Sequence, residues 1–170
     1  AASIATDGRA SLASTCVYFA LDGPPPIREP LLVLNGRLDG DGQRAGSVNS
    51  VCFPSAICAR YAPRGKHLAS VTLLGAREEG DALVASVRAE LAGWFGDNEV
   101  ATWRHLRTYV VRGAQVARPP PNDGGFNRAP RVGMPGVFVC GDHCATPSLN
   151  GALRAGRVAA QALLDGRAST

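Results

Sequence analysis

The sequence contains few aromatic residues, few charged residues and a single lysine. Aromatic residues make up 6% and charged residues 19% of the 170 residues, and Lys66 stands alone among many arginines. No apolar run approaches the roughly 20 residues that a membrane-spanning helix needs, which argues against a membrane span. The net charge is only +4 and the arginines are scattered, so no basic stripe with interleaved aromatic residues predicts a nucleic-acid partner.

The sequence also lacks the cysteine pattern of a secreted disulfide scaffold. It has five cysteines, an odd number at irregular spacing: Cys16, Cys52, Cys58, Cys140 and Cys144. Disulfide frameworks of small secreted domains normally use an even number of cysteines. We therefore expect the protein in an intracellular, reducing compartment.

Apolar residues are numerous enough for a folded core, at 45% of the chain. Five stretches rich in β-branched and other apolar residues predict strands, at 12–21, 31–34, 47–53, 68–74 and 103–111. Between the last two stretches, apolar residues from Asp81 to Phe95 recur at helical spacing, with Asp81 as the expected N-cap. These patterns predict an α+β fold in which one helix accompanies a mostly antiparallel sheet.

The C-terminal part of the chain has a different pattern. After a Pro/Gly-rich loop at 118–131, the apolar run 136–140 predicts a short strand buried on both faces. Gly141 and Asp142 follow at once, and 149–164 predicts a helix with small residues on one side. This order is typical of a βα unit in a doubly wound sheet, where ligands bind at the carboxyl ends of the strands. We therefore divide the chain into a region 1–117, the loop, and a segment 132–170.

The string from Gly136 to Arg157, GVFVCGDHCATPSLNGALRAGR, carries a resemblance to a known group of enzymes. It resembles the C-terminal FAD-binding motif of the flavin-containing amine oxidase and phytoene-desaturase-like superfamily. That motif is an apolar strand, Gly-Asp, a short loop, Gly-Ala, and then Ser or Ala before Gly-Arg. Strings at 51–55, 61–71 and 103–109 look like substrate-domain strands of the same superfamily. The resemblance implies that 1–117 is substrate-domain-like and that 132–170 is the last βα unit of an FAD-binding domain.

The resemblance also implies which residues contact FAD. Asp142 would accept hydrogen bonds from the ribityl chain, and Gly141 would let the backbone approach closely. Gly151 and Ala152 would present free N–H groups at the positive end of a helix. Ser148 and Asn150, beside them, complete the cofactor-binding set. The motif identifies no catalytic residue.

Two features depart from the superfamily pattern. The N-terminal Gly-x-Gly-x-x-Gly that binds the ADP half of FAD is absent. We therefore expect an incomplete flavoprotein that does not hold FAD tightly alone and whose partner is the missing N-terminal half or another chain. Ser148-Leu-Asn150 also stands where amine oxidases carry an aromatic cage residue. This favours hydride-transferring oxidation or desaturation of a small organic substrate over amine oxidation.

Other interpretations remain open at this point. A truncated, non-catalytic relative would use the same fold as a structural or binding subunit of a larger assembly. Cys140, His143 and Cys144 offer metal ligands or a redox pair, but no second Cys/His pair has zinc-like spacing, so we expect no metal. Relatives of this kind occur in bacteria and in plastids, and both compartments fit the expected reducing environment.

Overall fold

The computed structural model describes residues 11–117 and 134–168 of the chain. The chain divides into two compact units. One is Ala13–Ala114, and the other holds residues 11–12 together with the described residues from Gln115 onward. The predicted loop at 118–131 lies outside the described residues, and the assignment of a substrate-domain-like and an FAD-binding segment stays a prediction.

Five strands form one sheet in the order β2-β3-β4-β1-β5. Their bounds are Ser11–Leu21 for β1, Leu32–Leu34 for β2, Val48–Cys52 for β3, His67–Leu74 for β4 and Arg104–Val116 for β5. β1 pairs with β4, β4 with β3 and β3 with β2, and each of these pairs is antiparallel. The predicted antiparallel sheet and the α+β class are therefore confirmed.

Four α-helices accompany the sheet in the described residues: α1 Pro54–Ile57, α2 Asp81–Phe95, α3 Asp97–Ala101 and α4 Leu149–Ala168. The bounds of α2 are those that the apolar spacing predicts. Asp81 is not its N-cap, however, because Gly80 takes that position with a φ of 150° and no side chain caps the helix. The helix predicted at 149–164 continues one turn further, to Ala168.

The core of Ala13–Ala114 lies between one face of the sheet and α2. Alternate residues of β1, including Val17 and Phe19, are fully buried in one cluster with Val87 and Leu91 of α2. This alternation is the period of two that a half-buried strand requires. Trp103 is buried in the same cluster, with its ring centroid 6.0 Å from that of Phe19.

The strand predicted at 136–140 is not formed. Phe138 is a single bridge residue, and Gly136 and Cys140 are exposed rather than buried. None of the strands β1–β5 includes this segment. The prediction was wrong, because an apolar run by itself does not establish that a continuous strand forms.

Candidate functional site

The predicted cofactor motif begins in a tight turn at Gly141. Its φ is 150°, in a region that side chains with a Cβ rarely adopt. A Cβ at this position would also lie 2.6 Å from Nδ1 of His143. The backbone angle of the turn therefore favours glycine, and the His143 ring lies where a Cβ would be.

Asp142–Cys144 forms a 3-10 turn that fixes the loop after Gly141. The N–H of Cys144 donates to Gly141 O at 3.0 Å, and the N–H of Ala145 donates to Asp142 O at 3.0 Å. Cys144 and Ala145 are buried in a small cluster with Ala155 of α4. The turn and the helix of the motif are thus packed together, as the predicted site requires.

The carboxylate of Asp142 remains available to a ligand. The side chain is half-buried, and within 11–117 and 134–168 no hydrogen bond or ion pair engages its oxygens. Only its backbone oxygen is used, by Ala145. A carboxylate held on a fixed turn is a strong acceptor for a hydroxyl donor.

Ser148 caps the start of α4. Its Oγ accepts a hydrogen bond from the N–H of Gly151 at 3.0 Å, and its backbone oxygen accepts one from the N–H of Ala152 at 2.9 Å. The expectation that Gly151 and Ala152 present free N–H groups is therefore wrong. The N–H groups of Leu149 and Asn150 are the ones that donate to no acceptor in the described part of the chain. They remain available because the first N–H groups of a helix have no carbonyl partner within it.

Gly151 is buried where the start of α4 lies against the preceding loop. A Cβ on this residue would lie 1.8 Å from the backbone oxygen of Thr146. Thr146 and this contact were not predicted, because the path of the loop 145–148 is not encoded in any local pattern. The site thus consists of the Gly141 turn, the Asp142 carboxylate and the capped start of α4.

The residues from Cys140 to Cys144 do not form a metal site in this arrangement. Cys140 is exposed while Cys144 is buried, and the Cys144 thiol lies 3.9 Å from Val139 O. No group of three or more histidine, cysteine or acidic side chains in the described ranges is placed to hold a metal ion. None of the five cysteines, all of which lie in those ranges, forms a disulfide.

A second polar surface lies on the face of the sheet opposite α2. Cys16 and Tyr18 of β1 lie beside Ser70 of β4, with Cys16 Sγ 3.4 Å from Ser70 Oγ, and Cys52 of β3 faces Ser70 from the other side. A hydrogen bond with Cys16 and partial burial raise the pKa of Tyr18, and burial raises the pKa of Cys52. The raised pKa values favour the uncharged forms of Tyr18 and Cys52 on this face.

A concave surface also lies in the same unit. A cavity of about 520 Å³ lies between β5 and the start of α2. Thr108 and His105 line it, and the buried Thr108 hydroxyl lies 3.1 Å from Nε2 of His105. No residue of the predicted cofactor motif lines this cavity.

No helix in the ranges 11–117 and 134–168 is both long and apolar enough to cross a bilayer.

Comparisons with known proteins give a family and a fold. The family model described as flavin containing amine oxidoreductase matches residues 3–164. A search of curated proteins gives no match.

Two solved structures share the fold. The PF1083 protein from Pyrococcus furiosus is similar with a TM-score of 0.57 and 17% identity, over 92% of this chain and 33% of that one. An oxidoreductase from Methanosarcina mazei is similar with a TM-score of 0.53 and 13% identity, over 93% of this chain and 35% of that one. The chain therefore spans about a third of the length of the structures it matches.

Proposed function

Since the chain belongs to the family of flavin containing amine oxidoreductases, we propose that it is the C-terminal portion of an FAD-dependent oxidoreductase. In this proposal 134–168 contacts the cofactor, and the sheet unit serves a small organic substrate that is oxidised or desaturated. The observation that carries the proposal is the Asp142 carboxylate, which is half-buried, fixed by the Gly141 turn and engaged by no other described side chain or backbone group.

The donor set of the site fits a flavin nucleotide. Asp142 supplies an acceptor for a ribityl hydroxyl, and Gly141 supplies the positive φ of the turn that holds Asp142. The N–H groups of Leu149 and Asn150 supply donors at the positive end of α4. Donors and acceptors of this kind match the polar groups of the sugar alcohol and of the pyrimidine edge of the ring.

Bound FAD would supply the two-electron oxidation, and the residues of this chain would hold it. Asp142 orients the ribityl chain, since a charged acceptor fixes the direction of a hydroxyl donor. The start of α4 stabilises negative charge that grows near its N–H groups, because the helix dipole is positive at this end. Ser148 contributes indirectly: by taking the N–H of Gly151 it fixes the geometry of the first turn.

A non-catalytic binding subunit is the second candidate. The observation that favours it is that the chain spans about a third of the structures it matches. Flavin content separates the two candidates. The oxidoreductase proposal expects the protein, purified from its organism in its native assembly, to carry FAD with its absorbance bands. A colourless native assembly would reject the oxidoreductase proposal and favour the binding-subunit function.

A variant tests the assignment of Asp142 itself. In the complete flavoprotein, Asp142→Ala should weaken FAD binding by about 1.5–3 kcal/mol, the contribution of a hydrogen bond to a charged group. Asp41→Ala, at an exposed loop position, is the matched control and should leave FAD binding unchanged. Equal flavin affinity in the two variants on titration would contradict the role of Asp142.

Expression of the isolated chain tests whether it needs a further polypeptide to hold FAD. Residues 1–170 are expressed alone, mixed with FAD and passed over a gel filtration column with absorbance detection. We expect the protein to elute without stoichiometric flavin. A stable monomer that co-elutes with one equivalent of FAD would show that the chain needs no complement.

A further inference from the structure

The cavity between β5 and the start of α2 has the size of a small-molecule site. Its volume is about 520 Å³, and pockets that bind small ligands usually enclose roughly 300–1,000 Å³. One wall is formed by 79–81 and by Val84 in the first turn of α2, and the other wall is formed by 105–110 of β5. No residue of the predicted cofactor motif lines the cavity. The cofactor proposal therefore leaves it without a role.

The β5 wall includes a fixed polar pair. Thr108 is buried, and its hydroxyl lies 3.1 Å from Nε2 of His105. The His105 ring in turn contacts Phe19, with the two ring centroids 5.9 Å apart. These contacts hold a hydroxyl and an imidazole at the cavity, and both groups can form hydrogen bonds with a ligand.

The two walls carry charges of opposite sign. Glu79 and Asp81 supply carboxylates on the α2 side, and Arg107 supplies a guanidinium on the β5 side. Within 11–117 and 134–168, no ion pair joins Arg107 to either carboxylate. The Arg107 guanidinium lies instead over the ring of Tyr109, 5.4 Å from its centroid. The cavity therefore separates an anionic wall from a cationic wall.

The backbone of β5 adds both donors and acceptors. Six consecutive residues, 105–110, line the cavity. Because side chains of a strand alternate between its two faces, a run of consecutive residues indicates that the backbone itself borders the space. Among the described strands, β5 lies at the edge of the sheet beside β1. The N–H and C=O groups on the outer side of an edge strand are not used by the sheet, so they can serve a ligand.

We propose that this cavity binds a small zwitterion, a molecule with an ammonium group at one end and a carboxylate at the other. The ammonium group pairs with Glu79 and Asp81, and the carboxylate pairs with Arg107. A guanidinium suits a carboxylate because the two can form paired, charge-assisted hydrogen bonds. A ligand with a single charge would leave one charged wall without a partner. This site goes beyond the proposed function, since it requires neither FAD nor the residues assigned to FAD.

Saturation-transfer difference NMR on the native assembly tests the proposal. The zwitterionic probes are glycine, β-alanine and γ-aminobutyrate, which differ in the distance between their charges. Butylamine and butyrate are the controls, because they match γ-aminobutyrate in chain length and carry one charge each. We expect the best zwitterion to bind at least about tenfold more tightly than either control, since each control lacks one charged contact.

Variants assign the binding to the cavity. Arg107→Gln should weaken binding of the zwitterion to the level of butylamine, whereas Arg64→Gln, at an exposed arginine outside the cavity, should not. The double variant Glu79→Gln/Asp81→Asn should weaken it to the level of butyrate. Glu78→Gln is the control for the double variant, since Glu78 is exposed and does not line the cavity.

Three results would overturn the proposal. The first is butylamine or butyrate binding as tightly as every zwitterion, because a site for a single charge would then suffice. The second is no binding of any zwitterion at about 10 mM, a concentration that reveals even weak ligands. The third is an equal affinity in Arg107→Gln and Arg64→Gln. Flavin absorbance of the same sample reports separately on the proposed function, so each proposal can fail without the other.

Discussion

A Cβ atom on Gly151 would lie 1.8 Å from the backbone oxygen of Thr146. Because the obstacle is backbone and not the end of a flexible side chain, the loop before α4 must move if any larger residue takes this position. The contact sets how closely the helix start approaches the turn that carries Asp142. It therefore links the stability of the unit to the geometry of the candidate cofactor site.

We predict that Gly151→Ala destabilises the protein by about 1–3 kcal/mol, the usual effect of overpacking a close contact. Gly156→Ala is the control on the same helix, since nothing lies near its missing Cβ. This control should stabilise the helix by about 0.5–1 kcal/mol, because alanine has less conformational freedom to lose. Urea unfolding followed by circular dichroism measures both. If the free energy of unfolding changes in the same direction in both variants, the close contact at Gly151 is contradicted.

We predict that Ser148→Ala destabilises α4 by about 1 kcal/mol, because the N–H of Gly151 loses its acceptor. Ser148→Asp keeps an acceptor at the N-cap position and adds a negative charge at the positive end of the helix. It should therefore retain the stability of the original chain. The comparison uses the same unfolding measurement, and an equal loss in both variants would show that Ser148 is not the cap.

Much of the fold follows from local patterns in the sequence. The bounds of α2 match the apolar spacing from Asp81 to Phe95, because the helix buries one face on the sheet. The strands of the central sheet follow the alternation that places Val17 and Phe19 in the core. Both patterns repeat over several residues, so several residues of each element independently predict the same secondary structure.

The candidate site was less predictable because it depends on contacts between segments. The apolar run 136–140 predicted a continuous strand, whereas the structure has a single bridge residue at Phe138. The free N–H groups at the start of α4 lie two residues earlier than expected, because Ser148 occupies those of Gly151 and Ala152. A serine before a helical pattern is an N-cap signal and would have placed them correctly.

We predict that Glu90→Ala destabilises the sheet unit by about 2 kcal/mol or more. The Glu90 carboxylate accepts hydrogen bonds from the N–H of Ser47 at 2.8 Å and from the N–H of Val48 at 3.1 Å. The variant leaves these donors without an acceptor, and a hydrogen bond to a charged group contributes about 1.5–3 kcal/mol.

The control for this prediction is Glu78→Ala. Glu78 is exposed, and the change should alter stability by less than about 0.5 kcal/mol. Glu90→Gln keeps one acceptor oxygen and should fall between the two. If Glu90→Ala unfolds at the same urea concentration as Glu78→Ala, the carboxylate does not hold the start of β3.

We predict that Cys52 reacts with iodoacetamide more slowly than Cys58, and that its rate rises only at higher pH. Burial raises the pKa of the Cys52 thiol, so a smaller fraction is thiolate at a given pH, and the thiolate is the reactive form. Cys58 is exposed and serves as the internal control.

Ser70→Ala should slow the reaction of Cys52 further, because the hydrogen bond from Ser70 lowers the pKa of that thiol. Mass spectrometry of each cysteine peptide across a pH series gives the rates. A Cys52 profile that coincides with that of Cys58, or that speeds up in Ser70→Ala, would show that the thiol is not held in this environment.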